Sequence, residues 1–293
     1  MSVEPAWDLY RTFLAVVQDG SLSGAARRLG LTQPTVARHV DALEAAIGAD
    51  LFLRSQRGLI PTEMALELKP YAETLASTAS ALMRTASGHA GDISGCVRIS
   101  AGEVVGVEHL PPILTRLRRR YPALVVELVL SNAVDDLLRR DADIAVRMVE
   151  PIQEALVARR LPSIELGLQA HRSYLERRGT PASMEDLMDH DLIGFDRETP
   201  AIRAFVARFP AIGRSAFALR ADSDLAQLAA IRAGFGIGIC QVPVARRDPD
   251  LARVLADAVA VDLGLWIVMH EDLKGSARCR AVFDALVDGM ASP

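Results

Sequence analysis

Cysteine is scarce in this 293-residue chain: Cys96, Cys240 and Cys279 are too few and too scattered for a disulfide scaffold or a Cys-x-x-Cys metal site. They read as reduced thiols; a redox-sensing thiol is the alternative, although no low-pKa surroundings show in the sequence. Aromatic residues make up only 5% against 50% hydrophobic residues, so Leu, Val, Ile and Ala must fill the cores. No apolar run is long enough to span a bilayer, and Met1-Ser2-Val3-Glu4-Pro5 lacks a basic-then-apolar signal pattern, which points to a cytoplasmic protein with no membrane partner. His39, His89, His109, His171, His190 and His270 show no paired ligand spacing, so neither a metal nor another cofactor is expected. Enzyme motifs are missing as well. Gly91-Asp92-Ile93-Ser94-Gly95 does not have the spacing of a nucleophile elbow. Gly234-Phe235-Gly236-Ile237-Gly238 lacks the third glycine of a dinucleotide loop and precedes a strand. No catalytic residue is assigned. Excess positive charge is absent too: the net charge is −4, so bulk charge gives no hint of a nucleic-acid partner.

What is present is concentrated near the start. Gly20 to Arg57 accommodates two short amphipathic helices joined by a turn at Gly30-Leu31. The first buries Leu22, Ala25, Ala26 and Leu29; the second buries Val36, Val40, Leu43 and Ile47. Thr32 can cap the second helix, and Pro34 is tolerated in its first turn. This is a helix-turn-helix whose second helix opens with polar side chains, which makes double-stranded DNA the leading partner. A helix from about Trp7 to Gln18 precedes it. Leu51–Arg54 and Gly58–Ile60 then read as two short strands around Ser55-Gln56-Arg57, a wing.

Within this unit Gln33 is the sharpest candidate, because its amide can pair bidentately with adenine from the exposed helix start. Thr32, Thr35 and Arg38 share that face, with Ser21, Pro34 and His39 beside it; Thr32 can instead be a pure cap, and Arg38 a solvated side chain. Arg54 and Arg57 suit phosphate or minor-groove contact, although Arg54 can equally anchor the wing to its own domain. Arg27, Arg28, Arg38, Arg54 and Arg57 cluster around the reading helix and wing, while Asp8, Asp19 and Asp50 are expected elsewhere. A second basic run, Arg116, Arg118, Arg119 and Arg120, reads as a solvated face.

The wording of the first segment resembles the LysR-type transcriptional regulators. Gly20-Ser21, Ala25-Ala26, Thr32-Gln33-Pro34, Leu43-Glu44 and Leu51-Phe52-Leu53-Arg54 follow in that family's order. The remainder is similar to the family at Leu110-Pro111, Tyr121-Pro122, Asp141 to Arg147 and Ala233 to Gly238. Ala37 stands where the family usually has Ser, removing a hydroxyl contact to DNA. Met64-Ala65 stands where Ala-Gly is usual, a change of helix packing.

A long helix is expected from about Thr62 to Ser87. Ala65, Ala72, Ala79 and Ala86 recur every seven residues, with Leu68, Leu75 and Leu82 three positions on. The stripe reads either as the seam of a homodimer or homotetramer or as one helix packed on its own domain. Beyond it, strands and helices alternate, among them a helix at Val134 to Arg139 and a strand at Ile164 to Gln169, which implies α/β architecture with largely parallel sheets. The resemblance implies an α/β fold with an N-terminal all-α winged helix-turn-helix and a periplasmic-binding-protein-like effector domain of two subdomains. Expected boundaries are 1–61 for DNA binding, 62–88 for the linker helix, 89–95 for a hinge and 96–293 for the effector domain. Its subdomain I would cover about 96–167 and 263–293, and subdomain II about 168–262.

Ligands in α/β sheets sit beyond the carboxyl ends of strands. Here those ends supply Ser100, Ala101, Gly102, Glu103, Arg147, Phe195, Asp222 and Gln241. Backbone amides at Ser100 and Gly102 with the Arg147 fork favour a carboxylate, whereas Glu103 would attract an amine, as in an amino acid. Alternatively Arg147 and Glu103 form a salt bridge to each other. The function expected is a DNA-binding regulator controlled by a small-molecule effector. The alternative is a solute-binding or catalytic α/β protein with a non-functional N-terminal domain.

Overall fold

The computed structural model describes residues 4–55, 58–86, 93–132, 142–151, 156–209 and 212–291. They fall into two compact units, one ending at residue 86 and the other beginning at residue 93. The expected helix at Val134 to Arg139, Gly88 at the end of the expected linker helix, Gly91 of the hinge, and Arg57 lie outside the described residues.

The first unit opens with α1 (Trp7–Asp19), α2 (Leu22–Leu29) and α3 (Gln33–Ile47). Ser21 caps α2 by accepting the Gly24 N–H at 3.2 Å, and Thr32 caps α3 by accepting the Thr35 N–H at 3.4 Å. The turn between α2 and α3 needs Gly30 in the left-handed region, at φ +67°. Phe13, Val16, Ala25, Val36, Val40 and Leu43 form the core where the three helices meet. After α3 the Glu44 carboxylate accepts the Leu51 and Phe52 amides at 2.7 and 3.2 Å, and this directs the chain into the wing. The wing strands β1 (Phe52–Ser55) and β2 (Gly58–Pro61) pair antiparallel. Leu59 N–H donates to Gly20 O at 2.8 Å, which ties the wing to the α1–α2 turn.

The seven-residue stripe lies on α4 (Glu63–Ala86) and divides between its two readings. Ala65 and Ala72 are buried and Leu68 is half-buried against the unit's own core. Leu75 and Leu82 remain 46% and 66% exposed.

In the second unit the elements are β3 (Gly95–Ala101), α5 (Leu110–Arg120), β4 (Leu124–Leu130), β5 (Ile144–Arg147), β6 (Leu156–His171), α6 (Arg172–Arg178), α7 (Met184–Leu187) and β7 (Leu192–Gly194). There follow α8 (Pro200–Arg208), β8 (Phe217–Arg220), α9 (Asp224–Arg232), β9 (Ile237–Gln241), α10 (Val242–Ala245), β10 (Leu251–Arg253), β11 (Ala260–His270) and α11 (Ala277–Ala291). A π-helical turn, Val105–His109, leads into α5. The main run of strands is ordered β4-β3-β5-β11-β6-β9-β7-β8, with β10 paired on β6. Its two flanks are parallel, but β5–β11, β11–β6 and β6–β9 are antiparallel. This corrects the expectation of largely parallel sheets. The chain passes from one lobe to the other along β6 and returns along β11, and an outgoing and a returning strand side by side must be antiparallel. β6 also starts earlier than Ile164, and β10 was not anticipated.

The first lobe packs Val97, Ile99, Leu110, Ile113, Ile267 and Phe283 around its half of the sheet. The second lobe has two cores, one around Leu168, Tyr174, Leu187 and Phe217, the other around Ile193, Leu228, Ile231 and Val244.

Gly58 has φ +123°, and a Cβ there would stand 2.5 Å from Gly20 O. Gly58→Ala is therefore expected to destabilise the first unit by about 1–3 kcal/mol. Urea unfolding followed by circular dichroism checks this; an unchanged midpoint would exclude the close approach.

Candidate DNA-reading surface and effector cavity

On the first unit, Gln33 is the opening residue of α3 and is exposed, as are Thr32, Pro34 and Arg38. Thr35 is half-buried, its hydroxyl 2.8 Å from that of Thr32. His39 is held from within. Thr12 donates its one hydroxyl proton to Asp8 O at 2.7 Å, so the 2.9 Å contact with His39 Nδ1 requires an N–H on the imidazole. That leaves His39 Nε2 as the nitrogen able to accept. Ser21 is engaged as the cap of α2.

Arg54 is exposed on β1 and forms no ion pair among the described residues. Arg28 behaves differently. Its Nε donates to Asp19 at 3.0 Å, and its guanidinium also meets Gln18. Asp19 is therefore not remote from the basic cluster, as expected, but neutralises one of its members. Arg27, Arg38 and Arg54 remain as the exposed, unpaired cations of this surface among the described residues.

On the second unit the groups expected at the effector site separate. Ser100 and Arg147 are buried, and Arg147 donates to Ser100 Oγ at 2.7 Å and to Val146 O at 3.0 Å. Glu103 does not pair with Arg147. Its carboxylate accepts from Ser223 Oγ at 2.8 Å and Leu225 N at 3.3 Å, at the start of α9 in the other lobe. Phe195, Asp222 and Gln241 do line a common cavity of about 740 Å³, and Ser100, Ala101, Gly102, Glu103 and Arg147 do not.

The cavity lies between α8 and the sheet of the second lobe, and Val104 and Met148 of the first lobe reach it. Leucine, isoleucine, valine and phenylalanine dominate its wall, and the polar members include Arg197, Arg208, Asp224 and Gln227. No motif marked these four, because none belongs to a strand-end pattern.

Cys240 also lines the cavity, and burial pushes its thiol up to about 12. A thiol held neutral in this way is a poor redox sensor.

Beside the cavity the two lobes are fastened together. Glu108 accepts from Arg232 at 2.7 Å, and this hydrogen bond holds its carboxyl below the ordinary range. Arg247 donates to Glu108 O at 2.7 Å and reaches His109 Nδ1 at 3.4 Å. His109 Nε2 lies 2.8 Å from Gln241 Oε1. Asn132 accepts from the Glu103 amide at 3.1 Å and donates to Asp224 at 3.0 Å. The sequence reading missed Glu108, His109, Asn132, Arg232 and Arg247, whose partners are about 90 to 140 positions away along the chain.

A wing, an exposed reading helix and a bilobed ligand-binding unit together define a DNA-binding regulator with a sensory domain. Residues 7–66 match the family described as bacterial regulatory helix-turn-helix protein, lysR family, and residues 90–291 match the LysR substrate binding domain. The chain belongs to the LysR-type transcriptional regulators. The probable HTH-type transcriptional regulator LtrA of Klebsiella pneumoniae is 28% identical, over 94% of this chain and 91% of that protein. The HTH-type transcriptional regulator CrgA of Neisseria meningitidis serogroup C (strain 8013) is 31% identical over 62% of this chain and 61% of its own length. In fold the chain is similar to crystalline CbnR, a LysR family transcriptional regulator, with a TM-score of 0.69, 21% identity and coverage of 97% and 99% of the two chains. Full-length CbnR complexed with its target DNA gives a TM-score of 0.66 at 22% identity, covering 97% of this chain and 99% of that one. No helix among the described residues is long and apolar enough to cross a membrane.

Burial lowers the pKa of His109 below its ordinary value near 6.5. The unfolded chain therefore takes up a proton there before the folded one does. The stability that this neutral histidine confers is complete above about pH 6.5 and is lost as the pH falls toward the folded value. Unfolding measured from pH 7.5 down to 5 should show this loss, and it should be smaller in His109→Gln; identical pH dependence in the two proteins would exclude His109 as a contributor.

Proposed function

We propose that this regulator reads its operator with the start of α3 and grips the backbone with the wing, as a cytoplasmic homodimer or homotetramer without catalytic activity. The observation that carries the reading is the exposed Thr32-Gln33-Pro34 opening of α3, with Arg38 and Arg54 exposed and unpaired in the same unit among the described residues. Gln33 supplies the base-reading amide. Thr32, Thr35, Arg38 and Arg54, with Arg57, contact bases or phosphates, while Pro34, Ser21 and His39 set the geometry of the helix start. A relative in fold, CbnR, has been crystallised in complex with target DNA, which supports the same use of this unit.

Effector control is proposed to act through the cavity of the second unit. Its walls include Gln241 and Asp224, both bonded to the first lobe, so a molecule that fits only one spacing of the lobes shifts the population toward that spacing.

Gln33→Ala should weaken binding to the specific operator by about 1–3 kcal/mol and leave random DNA nearly unaffected. Arg54→Ala should weaken both alike and flatten the salt dependence. Gel-shift titrations at two salt concentrations separate these outcomes, and equal losses on both DNAs for Gln33→Ala would remove its base-reading role.

Leu75 and Leu82 leave an apolar stripe on α4 that a second copy would cover. Leu75→Asp places a charge in that contact and should lower the oligomeric state. Light scattering that returns an unchanged mass would rule out the seam. Operator affinity should fall with the mass, since two tethered reading helices gain from effective concentration.

A further inference from the structure

The cavity contains one polar group whose bonding state can be deduced. Gln241 is 5% exposed and forms part of the wall. Arg247 Nη2 stands 3.4 Å from His109 Nδ1, and a guanidinium can only donate. His109 Nδ1 is therefore the accepting nitrogen, and the ring proton sits on Nε2. That proton is given to the Gln241 carboxamide at 2.8 Å, which fixes the amide oxygen on the His109 side. The Gln241 NH2 group is left without an acceptor among the described residues. Gln241 lines the cavity, and its NH2 is not among the described side-chain atoms buried without a partner, so it keeps accessible surface for an acceptor.

The remaining wall restricts what can supply the acceptor. A volume of about 740 Å³ bounded mainly by aliphatic and phenylalanine side chains suits a molecule with a substantial apolar body. The wall carries three carboxylates, Asp222, Asp224 and Asp262, against two guanidiniums, Arg197 and Arg208, an excess of one negative charge that gives an anion no net attraction. Asp224 lines the cavity, and its carboxyl is raised by desolvation and by the neighbouring charge of Glu103. Asp222 is a further carboxylate of the wall, and it already holds Arg197 at 3.1 Å. An acid entering beside Gln241 would add a negative charge to this set.

We infer that the cavity takes a neutral, largely apolar molecule, ring- or chain-bearing, whose carbonyl oxygen accepts from Gln241 Nε2. This rests on the effector reading given above and names the class of molecule for that site. It departs from the carboxylate or amino acid expected from sequence, because that expectation required Ser100 and Arg147 in the wall. The same amide group is joined through His109 and Arg247 to the fastening of the lobes, so the ligand bond and the lobe contact share one side chain.

Four near-isosteric probes test the class on the full chain: 2-acetylnaphthalene, 2-ethylnaphthalene, 2-naphthoate and 1-(2-naphthyl)ethylamine. Calorimetry should give the acetyl compound the highest affinity, about five- to tenfold above the ethyl compound, the worth of one net hydrogen bond. In Gln241→Leu the acetyl preference should fall to about one. If that variant does not fold, Gln241→Met serves the same purpose. Ile202→Trp, which fills the cavity from α8, should abolish binding of all four while retaining the wild-type circular dichroism spectrum. Tightest binding of the acid or the amine, no binding of any probe, or an unchanged preference in Gln241→Leu would overturn the inference. Gel shifts distinguish it from the effector reading. Binding of the acetyl probe at Gln241 with no change in operator affinity would leave the cavity chemistry standing and remove the control. A polar metabolite that alters operator affinity equally in wild type and Ile202→Trp would leave the control standing and overturn the cavity.

Discussion

The antiparallel pairing of β6 with β11 is the constraint on which the second unit depends. Each strand runs through both lobes, with partners from Ala260 opposite Gly167 to His270 opposite Leu156. The parallel set β4-β3-β5 hangs on β11, and the set β9-β7-β8 hangs on β6. Any change in lobe spacing must therefore be absorbed by this one ladder. Its register shifts between Leu263 and Leu265, at the point where the chain leaves one lobe for the other. Bulges bend a strand and raise its local twist, so the irregularity falls where bending is useful. Leu166, Leu168, Val261 and Leu263, which flank the crossing, also line the cavity.

Electrostatics set the second condition. Glu108 is stabilised as a carboxylate by Arg232, and His109 is stabilised as a neutral ring by burial. Both groups are pushed toward the state they hold near neutral pH, and both oppose protonation. Arg232 is shared with Asp248 at 3.6 Å, so the fastening is a small network rather than one pair. Partly exposed pairs of this kind contribute little stability individually. They are better suited to selecting one lobe spacing than to holding the unit folded, which the apolar cores do.

How much of this could be read from the sequence depended on the range of each interaction. The helix-turn-helix was legible because its signals are local: Ser21 and Thr32 act three residues from their partners, and the apolar spacing of Val36, Val40 and Leu43 lies within one helix. Strand direction has no such local code, so the alternation of strands and helices did not reveal the antiparallel centre. Arg159, Arg160, Pro162 and Ser163 are solvent-facing, and together they concealed the first half of β6. The Arg28–Asp19 pair was missed because nine residues and a helix turn separate its members. The cavity was missed for another reason: residues such as Ile202, Phe217 and Ile239 are indistinguishable from core in a sequence. Ser100 and Arg147 carried a strong functional signal, yet in the fold they bond to each other.

The placement of Gln241 and Asp224 bears on how binding can be transmitted. A ligand shifts a two-state equilibrium only by the difference between its affinities for the two states. A cavity enclosed wholly within one lobe would give no such difference, because its shape would not change with lobe spacing. Here two wall residues are bonded across the cleft, Gln241 to His109 and Asp224 to Asn132, and Val104 of the first lobe reaches the same space. The wall thus draws on both lobes, and the contacts that bridge them beside it are few and polar while most of the wall is apolar. On the proposed reading, affinity and switching reside in different atoms: the apolar wall would determine how tightly a molecule is held, and the bonds at Gln241 and Asp224 would determine how far holding it biases the lobes.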